Sequence, residues 1–290
     1  MCMKFDVVVG NPPYNKGMDL DFVKLGFDLC TKYCVMITPA KWQTAADDQR
    51  VASKTINYKE FREKLVPHMS KVVFYPRAAD VFDIRQVDGI TYYRIDKNTM
   101  YDKCIVENRC TYYKIYNSTV SRSITGRQSL LNIGNEIIDY INSVYKIDSS
   151  TQLRFIKNDY SKKFKVVAVT KIPGFLNGFQ KETPSYITSI YTIEEDFKQK
   201  ADREVLFSSN IKSECESFIS YMYTRVVRFL YFCNISKLSA PYTDDCFRFV
   251  PAPPSGKFDH IYTDEELYKA FNLPQKYIDV IEAVIKERKH

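Results

Sequence analysis

Residues 4–14 read KFDVVVGNPPY, and this stretch decides the fold. Three consecutive valines, Val7 to Val9, mark a short buried strand, and Gly10 with Pro12 and Pro13 stops it abruptly. Outward from there, apolar periodicity from Leu20 to Tyr33 fits an amphipathic helix. CVMITPAKW (34–42) is a second strand that ends at Pro39, and YKEFREKLVPHM (58–69) a helix cut by Pro67. VVFYP (72–76) and ITYYRID (90–96) are a third and a fourth strand. Strands alternating with helices make the tail of a doubly wound α/β sheet, expected to be parallel. Asn11 then stands at the carboxyl end of a parallel strand, where such sheets bind ligands.

Each residue of Asn11-Pro12-Pro13-Tyr14 has a chemical task at such a place. An aromatic amine is a poor nucleophile while its lone pair is delocalised into the ring. The Asn11 side-chain oxygen and the Pro12 carbonyl each accept one amine hydrogen, which draws the nitrogen toward tetrahedral geometry. The two prolines hold these acceptors in position before substrate arrives. Tyr14 offers a flat ring on which a base stacks, worth roughly 1–3 kcal/mol per base. That offsets the few kcal/mol needed to take a base out of a duplex. The bland alternative for the same residues is a Pro-rich turn after a strand.

GNPPY after a Val-rich strand resembles the amine-activating motif of Rossmann-like amino-methyltransferases. VMITPAKW (35–42), ADVFDIRQVDGITYYRID (79–96) and FVPAPP (249–254) with the helical tail after it are similar to segments of Eco57I-like restriction-modification methylases. Asp88 departs from the glycine usual at its position. The resemblance implies S-adenosylmethionine-dependent methylation of adenine in double-stranded DNA, with Asn11, Pro12, Pro13 and Tyr14 at the reacting amine. It also implies a second ring facing Tyr14 across the flipped base, Tyr92 or Tyr93. Strand alternation lets only one of the two point into the site, and Tyr93 is favoured.

The fold class expected is α/β, a partial Rossmann-like methyltransferase sheet followed by an α+β DNA-recognition domain. The catalytic part spans 1–104, the recognition domain 105–250 and a helical tail 251–290. One helix is expected over 213–232, with Phe218, Met222 and Phe229 as its core stripe. Thr263 with Glu266 forms a capping box. Between 109 and 181, basic residues recur among aromatics. Arg122, Arg127, Arg154, Lys157, Lys162, Lys163 and Lys165 are the expected phosphate contacts, against the alternative of a solvated charged face.

The cofactor-binding residues are unknown. Members of this class hold S-adenosylmethionine on a Gly-rich loop and an acidic residue that normally precede NPPY, and only ten residues precede it here. Gly126, Gly134, Gly174, Gly178 and Gly256 give no displaced copy. Three explanations stay open: a partner polypeptide that carries the cofactor half, a truncated product, or a degenerate member that binds DNA without catalysis. A half-sheet with an open edge predicts association.

Composition sets outer bounds. The chain has 290 residues, with 22 Tyr and 19 Phe, and its net charge of +7 is compatible with a polyanionic partner. With three His and eight Cys that form no CxxC pair, no metal site is expected. The expected setting is cytoplasmic with reduced thiols, with no signal peptide and no apolar run of about 18 residues for a membrane span. Two other functions compete: a non-catalytic DNA-binding specificity or anti-restriction module, and a protein glutamine methyltransferase. The long region after the fourth strand speaks against the latter.

Overall fold

The computed structural model describes residues 3–43, 45–47, 49–76, 78–83, 89–111, 114–124, 135–148, 150–155, 157–173, 188–234 and 239–288. The chain divides into two compact units, Met1–Ile133 and Gly134–His290.

The first unit is built on a six-stranded mixed sheet. In chain order its strands are β1 (Phe5–Gly10), β2 (Cys30–Pro39), β3 (Met69–Tyr75), β4 (Ile90–Asp96), β5 (Cys104–Asn108) and β6 (Ser118–Arg122). They lie in the order β1-β2-β4-β3-β5-β6. β1 pairs with β2 in parallel, and β3 with β5 likewise. β4 runs antiparallel between β2 and β3, and β6 antiparallel to β5. The expectation of a parallel sheet over 4–97 is therefore corrected at β4. No described helix lies between β3 and β4 beyond a single 3-10 turn, so the chain returns beside β3 in the opposite sense instead of crossing over. β1, β2, β3 and β5 point the same way, so their carboxyl ends share one edge of the sheet.

Helix α1 (Asp19–Leu29) is shorter than its periodicity predicts, because the chain passes directly into β2 at Cys30. Lysines satisfy its last carbonyls: Lys4 Nζ donates to Asp28 O at 2.5 Å and Lys97 Nζ to Phe27 O at 2.7 Å. Cations at a helix carboxyl end also suit its dipole. Helix α2 (Tyr58–Lys64) opens with a capping box between Asn57 and Glu60. Leu20 and Val23 of α1 and Phe61 of α2 pack with Cys34, Met36, Val72, Tyr93, Ile95 and Val106 on one sheet face. On the strand positions that alternate with these, Val7, Val9, Tyr33, Tyr92 and Ile105 are exposed. β1 is an edge strand, and Val9 on it is 74% exposed.

Because β5 and β6 belong to this sheet, the structure carries the first unit past the expected boundary at residue 104.

The second unit joins a small antiparallel sheet to helices. β7 (Phe164–Val169) lies between β10 (Arg203–Ser209) and β9 (Thr192–Glu194). β8 (Lys171–Pro173) pairs with β11 (Ser239–Pro241). The helices are α3 (Asn135–Tyr145), α4 (Lys212–Tyr223), α5 (Arg225–Cys233), α6 (Asp264–Ala270) and α7 (Gln275–Val284). The single helix expected over 213–232 is broken at Thr224, whose Oγ1 accepts from Val227 N at 3.4 Å as the N-cap of α5. Phe218, Met222 and Phe229 are buried, and Phe218 stacks on Phe207 of β10 with ring centroids 4.9 Å apart. Thr263 caps α6 through Glu266 N at 3.2 Å.

Candidate functional site

The site begins where β1 ends. Gly10 lies opposite Met36 of β2, and a Cβ at Gly10 would stand 2.9 Å from Met36 Sδ. Glycine here lets the two strands close with Met36 between them. The next four residues alternate outward and inward: Asn11 is exposed, Pro12 buried, Pro13 exposed and Tyr14 half-buried. Tyr14 Oη donates to Asn11 Oδ1 at 2.5 Å, with Ile37 O as a second acceptor at 3.5 Å. Burial, aided by the charge of Asp19, pushes the Tyr14 phenol up to about 12, so it remains a donor at neutral pH.

The turn after Tyr14 requires unusual backbone. Lys16 has φ 49° and Gly17 φ 90°. A Cβ at Gly17 would meet Val51 Cβ at 3.0 Å, so space as well as φ demands glycine there. Ala52 N donates to Lys16 O at 2.7 Å and ties residues 51–57 to this turn. Asp21 in the first turn of α1 organises the same loop, accepting from Ser53 Oγ, Lys54 N, Thr55 N and Thr55 Oγ1 at 2.5–3.1 Å. Burial acts to raise its carboxyl, but these hydrogen bonds outweigh it and hold the group down at about 2.

Asp19 is buried, 4% exposed, within the fields of Tyr14, Tyr58, Tyr93 and Lys41. Desolvation pushes its carboxyl up to about 6, against its own backbone hydrogen bond and the Lys41 charge, which pull it down. Below lies an aromatic wall. Trp42 packs on Phe61 and Tyr93 at 5.6 and 5.7 Å, and its Nε1 donates to Thr91 Oγ1 at 2.9 Å. Arg62, itself buried, donates to Trp42 O at 2.7 Å and pairs with Asp47.

Tyr93 belongs to that wall. It is 1% exposed, and its hydroxyl is 3.2 Å from Thr38 Oγ1. Trp42 and Phe61 pack on its ring, at 5.7 and 6.3 Å between centres. Alternation puts Tyr92 on the opposite sheet face, where it tilts against Tyr75 at 6.4 Å. Phe82, half-buried in the segment that follows β3 at the same sheet edge as Asn11, is an aromatic that sequence reasoning passed over. Asp19 and Lys41 were passed over too. Only the spacing from Tyr14 across Gly17 to the first helical turn could have pointed to Asp19.

The basic residues divide. Lys162 and Arg154 are exposed and Arg122 on β6 is half-exposed. Lys163 is exposed, with Nζ 3.9 Å from Glu195 Oε2 and 4.9 Å from the Phe164 ring centre. Lys157 is paired with Glu204 at 2.5 Å. Lys165 is buried, its Nζ donating to Glu195 O at 2.7 Å and Lys163 O at 3.3 Å, contacts within the fold. Arg127 lies outside the described residues. Among the described residues, no three His, Cys, Asp or Glu side chains gather as a metal site, and no helix is long and apolar enough to cross a membrane.

A cofactor cradle needs glycines that open space for a ligand. Gly10, Gly17, Gly26 and Gly89 each have that space filled by the protein's own Met36, Val51, Cys34 or Phe74 side chains. These four glycines thus do not form a cradle that fits S-adenosylmethionine.

No protein-family model matches the chain. An uncharacterised adenine-specific methylase of Mycoplasma pneumoniae is 30% identical over 121 residues, which is 37% of this chain and 27% of that protein. The chain therefore spans about a quarter of that relative's length. Among solved structures, an assembly of the type I restriction-modification system aligns at a TM-score of 0.30 with 15% identity, over 37% of this chain and 24% of that one. The type I methyltransferase subunit from Streptococcus thermophilus gives 0.29 and 16%, over 43% and 30%. The type IIG restriction endonuclease BpuSI gives 0.33 and 13%, over 60% and 25%. Over part of its length, then, the chain is a homologue of an adenine-specific methylase.

Proposed function

We propose that this chain is the amine-activating and DNA-recognition half of an S-adenosylmethionine-dependent, adenine-specific DNA methyltransferase of the Eco57I-like restriction-modification group. The observation that carries this is the Asn11-Pro12-Pro13-Tyr14 turn at the carboxyl end of β1, with the Asn11 amide exposed and the Tyr14 ring beside it. The partial homology to an adenine-specific methylase supports it.

Asn11 Oδ1 and the Pro12 carbonyl accept the two hydrogens of the adenine amine, and the lone pair is freed from the ring. These acceptors are preorganised, so they stabilise the developing charge without reorganising during the reaction. The Tyr14 ring receives the flipped base. Lys162, Lys163 and Arg154 supply salt-dependent attraction to phosphates. Bound S-adenosylmethionine would supply the methyl group, and its cradle belongs to a partner polypeptide. The open edge at β1, with Phe5, Val7 and Val9 exposed, supports such association.

The filled glycine sites also favour a second reading, a DNA-binding module without catalysis. Substitution of Asn11 separates the two. In the complex with its cofactor-binding partner, Asn11→Ala should lose methyl transfer and keep DNA binding. Full activity of that variant would defeat the catalytic reading.

A further inference from the structure

We infer that the Tyr14 hydroxyl is a positioning group that fixes which end of the Asn11 amide faces the substrate amine. The inference rests on the catalytic reading of Asn11 given above. A carboxamide has two ends of nearly equal shape and opposite hydrogen-bonding character. Only the oxygen can accept an amine hydrogen; the NH2 end would oppose the amine with donors of its own. Asn11 is exposed, so little packing chooses between the two orientations.

The hydroxyl makes the choice. It donates to Asn11 Oδ1 at 2.5 Å, and its other acceptor, Ile37 O, is 3.5 Å away. If the amide turned over, the hydroxyl would receive a hydrogen from Nδ2 and would have to send its own to Ile37 O. A short O–H···O bond from a phenol to an amide oxygen would be exchanged for an N–H···O bond, ordinarily longer, from a weaker donor to a weaker acceptor, and the hydroxyl hydrogen would be left to an acceptor at the outer limit of hydrogen-bond length. Oδ1 has two lone pairs, so the bond from Tyr14 leaves one for the substrate amine. Burial of Tyr14 and the nearby Asp19 charge keep the phenol protonated, so the donor persists at working pH. A phenoxide would instead attract the NH2 end. The ring of Tyr14 and its hydroxyl therefore have separate tasks, the first on the base and the second on Asn11.

The full chain labelled with ¹⁵N in asparagine tests this without cofactor or partner. The Asn11 side-chain amide is assigned by its loss in Asn11→Ala. Tyr14→Phe should move that amide nitrogen and narrow the separation of its two protons, with other asparagine signals in place. An unmoved Asn11 signal would overturn the inference. In the complete enzyme, Tyr14→Phe should lower kcat about five-fold, the factor set by one net hydrogen bond, and leave KM for DNA unchanged. A wild-type kcat in Tyr14→Phe, with Asn11→Ala inactive, would sink the positioning role alone. Activity in Asn11→Ala would sink the catalytic reading, whatever the amide signal shows.

Discussion

Replacing Asp19 with asparagine should make the first unit more stable at neutral pH and change it little in acid. Asp19 is 4% exposed, and burial lifts its carboxyl from the ordinary 3.8 to about 6. The charged groups in its field are Lys41, which favours ionisation, and Asp21, which opposes it; the Tyr14, Tyr58 and Tyr93 hydroxyls surround it neutral. Below 3.8 the carboxyl is protonated in both folded and unfolded chains, and its burial is free of this penalty. Between 3.8 and about 6 the unfolded chain releases the proton and the folded chain keeps it, so stability falls as pH rises. A tenfold change in acidity is worth about 1.4 kcal/mol, so the ionised fold carries a cost of about 3 kcal/mol. The Asp19→Asn variant, which has no proton to release, would carry none of it. The gap between variant and wild type should therefore widen by about 2 kcal/mol from about pH 4.5 to about pH 7.5. Trp42 is the single tryptophan and is buried in this unit, so urea unfolding followed by its fluorescence reports the quantity directly. A gap independent of pH would refute the reasoning, and a gap that closed with rising pH would show that Lys41 outweighs desolvation.

Asn11→Ala should reduce methyl transfer in the complete enzyme by at least about 100-fold, the usual loss for a preorganised electrostatic contact, with DNA affinity nearly unchanged in a binding titration. Tyr14→Ala should instead weaken capture of the flipped base by about 1–3 kcal/mol, read from the affinity for DNA with an unpaired target adenine. Lys162→Ala with Lys163→Ala should lower the slope of log affinity against log salt by up to about 2; Lys165→Ala should leave the slope alone and cost about 1–2 kcal/mol of stability. Calorimetric titration of S-adenosylmethionine into the lone chain should show weak binding or none, and micromolar affinity would reveal a cradle outside the described glycines.

What was legible in the sequence was what local chemistry decides. VVVG stops at a proline pair, so β1 and the turn after it were readable, and ITYYRID matches β4 residue for residue. Direction was not readable, because β4 enters antiparallel through a connection whose path depends on its neighbours. The segment between β5 and β6, RCTYYKIY (109–116), carries the same aromatic and basic texture as the second unit, so composition placed a boundary where the sheet continues. Alternation separated Tyr92 from Tyr93 but could not say which face was open. The same limit explains Lys165: charge suggested a phosphate contact, whereas its strand position turns it inward to carbonyl acceptors. Thr224 shows the reverse case, a polar residue inside an apolar run that ends one helix and caps the next.

The contacts seen at the NPPY turn among the described residues come from its own unit. Met36 occupies the space beside Gly10, Ile37 O and Asn11 receive the Tyr14 hydroxyl, and Val51 with Ala52 N closes the turn at Lys16 and Gly17. None of these needs a cofactor loop. An amine acceptor has to be rigid before substrate arrives, since movement during the reaction would consume the stabilisation it offers. A methyl donor has only to be delivered in line with the amine, and a docked second chain can do that as well as a covalently joined one. At the β1 edge Val7 and Val9 stand exposed. Under the proposed function, delivery of the methyl donor from outside the first unit would therefore leave the acceptor geometry of the turn unchanged.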